Sequence, residues 1–125
     1  MSKVLFACAE NKKRSQMAEA IFNSLLKSDR ATSAGTLPAK EVDPLTIQVL
    51  REIGIDPEDP KPKLLQDGDL ETVDIIVSFG CLVPSMFPKE KFQEWEIKDP
   101  RTIEEFREVR DQITKKVKEL ITAWA

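Results

Sequence analysis

Near the amino end of the chain a cysteine, Cys8, is followed six positions later by an arginine, Arg14, and directly after it by a serine, Ser15. Thiolate sulfur is a strong nucleophile, and a guanidinium offers a planar fork that grips two oxygens of a tetrahedral anion. A serine hydroxyl beside the sulfur can donate a hydrogen bond to it. Nucleophilic attack by sulfur on a tetrahedral oxyanion is the chemistry such a set could perform. The intervening Ala9, Glu10, Asn11, Lys12 and Lys13 would supply backbone N–H groups, making residues 8–15 a candidate anion-binding loop. A lone cysteine is otherwise a small buried hydrophobe.

The flanking segments support the chemical reading. Residues 3–7, apolar from Val4 onward (Val4, Leu5, Phe6, Ala7), predict a buried strand, and residues 15–26 predict a helix with Met17, Ala18, Ile21 and Leu25 on one face. A strand–loop–helix junction aims several N–H groups and the positive end of the helix dipole at one spot. That field would lower the pKa of Cys8 toward the thiolate.

Further along, residues 31–34 predict a strand closed by Gly35, and Asp43-Pro44 opens a helix that runs through Leu50 and Ile53 to a stop at Gly54. Three prolines make 56–62 a loop. Residues 72–78 carry the continuous apolar pattern of a buried parallel strand. Residues 79–88 read as irregular, with Phe79 and Phe87 suited to the surface, and a last short strand is expected at 94–97. A final helix begins near Thr102 with a Thr102–Glu105 capping box. Its apolar positions, Ile103, Phe106, Val109, Ile113, Val117, Leu120 and Trp124, form a core stripe and its charges a solvated face. Strands alternating with helices predict an α/β fold, a doubly wound four-stranded parallel sheet flanked by helices, with its sites at the carboxyl ends of the strands. Cys8, Cys81 and Asp99 each follow a predicted strand and would meet at that edge.

A length of 125 residues suits one compact domain, 1–125. The net charge of −3 gives no reason to expect a nucleic-acid partner, and the basic cluster Lys12-Lys13-Arg14 suits one small anion. With no apolar run of membrane-spanning length and no signal peptide, a cytoplasmic location with working thiols is expected, and no membrane partner. The sequence contains no histidine, which excludes a Cys–His dyad and removes the commonest zinc ligand; no metal site is expected.

Val4-Leu5-Phe6-Ala7-Cys8, Asn11 and Arg14-Ser15-Gln16-Met17-Ala18-Glu19-Ala20 resemble the opening of the low-molecular-weight protein tyrosine phosphatase-like superfamily, and more closely its arsenate reductase branch. Thr32-Ser33-Ala34-Gly35-Thr36, Gly54-Ile55-Asp56, Gly80-Cys81, Trp95, Asp99-Pro100 and residues 106–111 follow in family order. The resemblance implies a low-molecular-weight phosphatase-like fold. It makes Cys8 the nucleophile, Arg14 and the loop amides the anion clamp, Ser15 the stabiliser of the thiolate, and Asn11 the internal brace of the loop. Asp99 becomes the proton donor to the leaving oxygen. A carboxyl beside a bound anion is pushed toward its neutral form, which suits that role, whereas on its own an Asp-Pro before a helix reads as a cap and turn.

In relatives specific for phosphotyrosine two aromatics follow the Asp-Pro pair; here Arg101 and Thr102 follow, which favours a small inorganic anion. The resemblance makes Cys81 a resolving cysteine that attacks the Cys8–arsenic adduct; the other reading is an ordinary residue at a strand end. No cysteine follows Cys81, unlike in thioredoxin-coupled relatives. The implied intermediate is therefore a Cys8–Cys81 disulfide or a mixed disulfide with glutathione. An external thiol system, thioredoxin or glutaredoxin with glutathione, would reduce it, with no tightly bound cofactor. Glu10 replaces a small residue, and a positive φ there would cost about 1 kcal/mol or more. Reductase relatives can hold potassium beneath the loop. Asn11, Glu19 and Ser33 match that set and Lys63 falls on its fourth position, where its ammonium would replace the ion or simply be a solvated loop lysine.

The leading expectation is reduction of arsenate to arsenite. The alternatives are a phosphatase working through a phosphocysteine at Cys8, with Cys81 a spectator, and a non-catalytic oxyanion-binding domain.

Overall fold

A computed structural model describes residues 3–27 and 30–124. In chain order it contains β1 (Val4–Cys8), α1 (Arg14–Leu26), β2 (Ala31–Gly35), α2 (Pro44–Glu52), α3 (Asp67–Thr72), β3 (Ile75–Ser78), a 3₁₀ turn (Pro84–Met86), β4 (Phe92–Glu94) and α4 (Ile103–Trp124). The four strands form one parallel sheet in the order β2-β1-β3-β4, with Val4 opposite Ala31 on one side and Ile75 on the other. The expected fold class holds.

β1 lies at the centre and all five of its residues are buried. Because successive side chains alternate across a strand, Val4, Phe6 and Cys8 face one layer while Leu5 and Ala7 face the other. The first layer packs on α1 and α4 through Met17, Ile21, Phe22, Phe106, Val109, Ile113 and Val117, each worth about 1.5–3 kcal/mol on burial. The second, with Ile76, Val73 and Phe87, is covered in part by Leu70 of α3. Helices thus lie on both faces.

The final helix begins as its sequence requires: the Glu105 amide donates to Thr102 Oγ1 at 3.2 Å and the Thr102 amide to Glu105 Oε1 at 3.4 Å. The side chain of Trp124 lies outside the described residues. Asp43 caps α2 by accepting from the Leu45 amide at 2.9 Å, and Gly54 ends that region at φ 82°.

Four local expectations are corrected. Leu25, one residue from the end of α1, is 44% exposed, and Phe22 takes the buried position. α3 was not anticipated. Six residues are too few to show a period, and its cap is a reciprocal Gln66–Asp69 pair. It absorbs Thr72, so β3 starts only at Ile75. β4 lies at Phe92–Glu94, earlier than 94–97, and the Trp95 amide bonds Ser78 O at 2.9 Å just beyond it. Phe79 and Phe87 are buried: Phe79 packs edge-on to Trp95 at 5.9 Å, and Phe87 stacks on Phe92 at 5.0 Å. Irregular backbone does not require exposed side chains. Among the described residues no helix is long and apolar enough to cross a membrane, and no cluster of three or more His, Cys, Asp or Glu residues could hold a metal ion.

Candidate active site

Residues 9–13 connect the buried end of β1 to the first turn of α1. Their carbonyls are tied outward. Ala9 O accepts from the Leu37 amide at 2.8 Å, Glu10 O from the Ala39 amide at 3.0 Å, and Lys12 O from both the Asp43 amide and Thr46 Oγ1. With its oxygens committed to that side, the loop turns N–H groups toward its concave face, where the Asn11 amide donates to Cys8 Sγ at 3.2 Å. Gly35, at the end of β2, allows the loop to lie this close, since a Cβ there would stand 2.4 Å from Ala9 O.

Asn11 is wholly buried and adopts the left-handed conformation at φ 53°, which asparagine tolerates better than most residues. Its Nδ2 donates to Ser15 Oγ at 2.8 Å, while its Oδ1 accepts from the Lys63 amide at 2.9 Å and Gln16 Nε2 at 3.1 Å. Because Ser15 Oγ accepts from Asn11, its own hydrogen is free to point at Cys8 Sγ, 2.9 Å away. The left-handed position of the loop is Asn11 and not Glu10, which makes an ion pair with Lys12 at 3.2 Å.

Arg14 Nη1 donates to Phe79 O at 2.8 Å and Ile97 O at 2.6 Å, with the guanidinium over the Phe79 ring. One nitrogen is thus seated on the two segments that carry Cys81 and Asp99. Lys13 Nζ lies 3.0 Å from Pro100 O, 3.4 Å from Asp99 Oδ2 and 5.6 Å from the centre of the Phe106 ring. The neighbour that the fold gives Asp99 is an ammonium rather than a second negative charge.

Cys8, residues 9–14, Cys81 and Asp99 line one hollow of about 180 Å³, which suits a small tetrahedral anion. Cys8 and Cys81 face the same hollow, close enough for their thiols to influence each other, and the Ala9 amide acts on Cys81. Interaction with the Cys81 thiol, followed by burial, pushes the Cys8 thiol well above its ordinary range, against the lowering effect of Ser15 and the Asn11 amide. Cys81 is pulled down to about 6 by the same interaction, aided by the Ala9 amide and the charge of Arg14. Near neutrality the pair shares one proton and carries one negative charge. The thiolate expected at Cys8 has a competitor, because the loop amide of Ala9 and the charge of Arg14 also stabilise the second sulfur.

The four residues considered for a monovalent cation do converge beneath the loop. Ser33 Oγ donates to Glu19 Oε1 at 2.8 Å, and Lys63 Nζ lies 3.4 Å from the same oxygen. A potassium ion on Glu19 would stand beside an ammonium, so this set does not fit potassium. Gln16 escaped sequence reasoning. Buried, it spans Asn11 and Lys61 O; its signal was a polar residue on the buried face of α1. The carbonyl seats of Arg14 carry no residue-type signal.

A parallel α/β sheet with a cysteine-centred anion loop at the carboxyl end of its central strand defines a class of thiol enzymes acting on oxyanions. The chain belongs to the low molecular weight phosphotyrosine protein phosphatase family, whose model matches residues 3–82. It is 33% identical to the glutaredoxin arsenate reductase of Synechocystis sp., over 97% of each chain. A solved arsenate reductase in the phosphate-binding state shares 32% identity, with a TM-score of 0.86 over the full length of both chains. The thioredoxin-dependent arsenate reductase of Corynebacterium glutamicum shares 31% identity at a TM-score of 0.84; 98% of this chain matches 61% of that one.

Proposed function

We propose that this protein is an arsenate reductase: a single domain, residues 1–125, that converts arsenate to arsenite at the expense of an external thiol reductant. The observation that carries the reading is the placement of both Cys8 and Cys81 in the lining of one anion-sized hollow. A phosphatase needs one sulfur there; a thiol-driven two-electron reduction needs two. The named arsenate reductases of similar sequence support it.

Arsenate enters the loop with its oxygens on the amides of residues 9–15 and on Arg14. Cys8 passes its proton toward Cys81, which substitutes for the absent histidine base, and its sulfur attacks arsenic. One arsenate oxygen leaves as water, taking a proton from Asp99. Cys81 passes the proton it took on to Asp99 and, again as thiolate, attacks the sulfur of Cys8. The electron pair of the S–As bond goes to arsenic, which leaves as arsenite, and the two thiols end as a disulfide. In sum, arsenate and two thiols give arsenite, one disulfide and one water. Ser15 and the Asn11 amide hold the Cys8 sulfur throughout. Two free thiols suit a reducing compartment, the cytoplasm.

Fully reduced protein mixed with arsenate and no reductant should lose two mass units (about 2 Da), give a Cys8–Cys81 peptide and release one arsenite per chain. An unchanged dithiol that hydrolyses an aryl phosphate would instead establish the family's phosphatase chemistry.

A further inference from the structure

Lys12 and Lys13 are consecutive in the anion loop, yet the fold treats them differently. Lys12 pairs with Glu10 and keeps 32% of its side chain exposed, whereas the Lys13 side chain is 16% exposed. The backbone of Lys13 caps α1, its carbonyl accepting from the Met17 amide at 3.0 Å. Its aliphatic stem carries Nζ to 5.6 Å from the centre of the buried Phe106 ring, 3.0 Å from Pro100 O and 3.4 Å from Asp99 Oδ2. An ammonium gives up water only where other groups replace it, and here the replacements all belong to the stretch from Asp99 to Phe106.

That stretch needs holding. Between the end of β4 at Glu94 and the start of α4 at Ile103 no residue lies in a helix or strand. Arg14 Nη1 fixes Ile97 O and Lys13 Nζ fixes Pro100 O, so two neighbouring basic side chains of the anion loop hold the segment on either side of Asp99. The Asp99 side chain is itself 52% exposed, and among the described residues its only hydrogen-bond or ion-pair partner is Lys13. A half-exposed pair of this kind adds little to stability. What it sets is direction. Both groups line the hollow that holds Cys8, so the ammonium keeps the carboxyl at the anion instead of leaving it to swing into solvent.

We infer, resting on the proton-donor role proposed for Asp99, that Lys13 is the positioning residue for that step. Its ammonium holds the Asp99 carboxyl at the leaving oxygen and stands beside the negative charge that proton transfer creates. The proton moves from Asp99 to the departing hydroxyl of arsenate, the As–O bond breaks as water forms, and Lys13 stays protonated throughout. Because the ammonium is already in place, nothing has to reorganise when the carboxylate appears. Lys13 thus acts through Asp99.

The test is a double-mutant cycle on the full chain. Lys13→Met keeps an apolar stem against Phe106 and removes the ammonium. At saturating arsenate it should lower single-turnover arsenite formation about tenfold, the scale of a misplaced reacting group. In the Asp99→Asn background the same change should alter the rate by no more than about twofold. An equal loss in both backgrounds would overturn the inference, since Lys13 would then act on the anion itself, as would a parent rate in Lys13→Met. Aryl phosphates supply a readout that does not depend on arsenate reduction. Lys13→Met should slow phenyl phosphate, whose leaving oxygen needs a proton, at least about fivefold more than dinitrophenyl phosphate, whose phenolate departs unaided. Equal slowing of the two would overturn the inference even in a protein that only hydrolyses phosphate esters. Failure of the parent to form arsenite, with the contrast between the two esters intact, would count against the proposed function alone; no turnover of any of these substrates would overturn both.

Discussion

The loop of residues 8–15 and the segment of residues 79–88 each bring one cysteine to the same hollow, and they are built in opposite ways. The first is fixed from behind. Its carbonyls are bonded to residues 36–46 and its centre is occupied by a buried asparagine with three side-chain partners. The second is anchored at its ends by Phe79 and Phe87 in the core and turns through Gly80, and it leaves Cys81, Val83 and Met86 exposed. In the proposed reaction the difference is useful. The attacking sulfur must be held against a rigid anion cradle, while the resolving sulfur must reach inward to Cys8 and outward to a reductant.

The most severe way to break this division of labour is Cys81→Ser. Arsenite release should fall below detection, while hydrolysis of an aryl phosphate, followed by colour, should survive; loss of both would mean that the two cysteines share one role. The variant also carries a pH signature. In the parent, thiolate absorbance should rise through about pH 6 as Cys81 deprotonates. Cys8→Ser removes the donor that lowers Cys81, so that midpoint should move up. Cys81→Ser removes the group that raises Cys8, so the Cys8 midpoint should move down.

A smaller loss is expected from Asp99→Asn, on the order of 10²-fold in single-turnover arsenite formation, in line with removal of a positioned proton donor. An unchanged rate would assign proton delivery to another group, with Lys13 the nearest. Asn11→Ala should act chiefly on the rigid half. Ser15 Oγ, the Lys63 amide and Gln16 lose a partner while a non-glycine residue keeps a positive φ, so a drop of about 2 kcal/mol in chemical denaturation is expected. The least effect should come from potassium. Because Lys63 already neutralises Glu19, adding the ion should leave parent turnover unchanged, and a strong rise would show that the ammonium does not fill that role.

Much of the rigid half was legible in the sequence because its logic is local. An apolar strand, a cysteine, an arginine six positions on and a helix are sufficient to place Cys8, Arg14 and Ser15 at one junction. Burial of Asn11 behind them was not derivable from spacing, nor was which loop residue would take the positive φ, since both Glu10 and Asn11 are compatible with a tight loop. The seats of Arg14 on Phe79 O and Ile97 O depend on backbone groups that every residue possesses. Sharing of one proton by the two sulfurs depended on a through-space distance between segments far apart in the chain. On the sheet, α3 and β4 were missed or shifted because six and three residues are too short for periodicity to register, while β1 and α4 were plain from theirs.

Gly35 gives the packing of the loop a wider meaning. Its missing side chain is the space into which Ala9 O fits, so β2 acts as the mould in which the anion loop is cast. A single methyl group at this position would be felt at the cysteine as an altered cradle, whereas the same group at Gly68 meets nothing within 4 Å. The shape of the reaction chamber is therefore inherited from a strand that contributes no reactive atom to it.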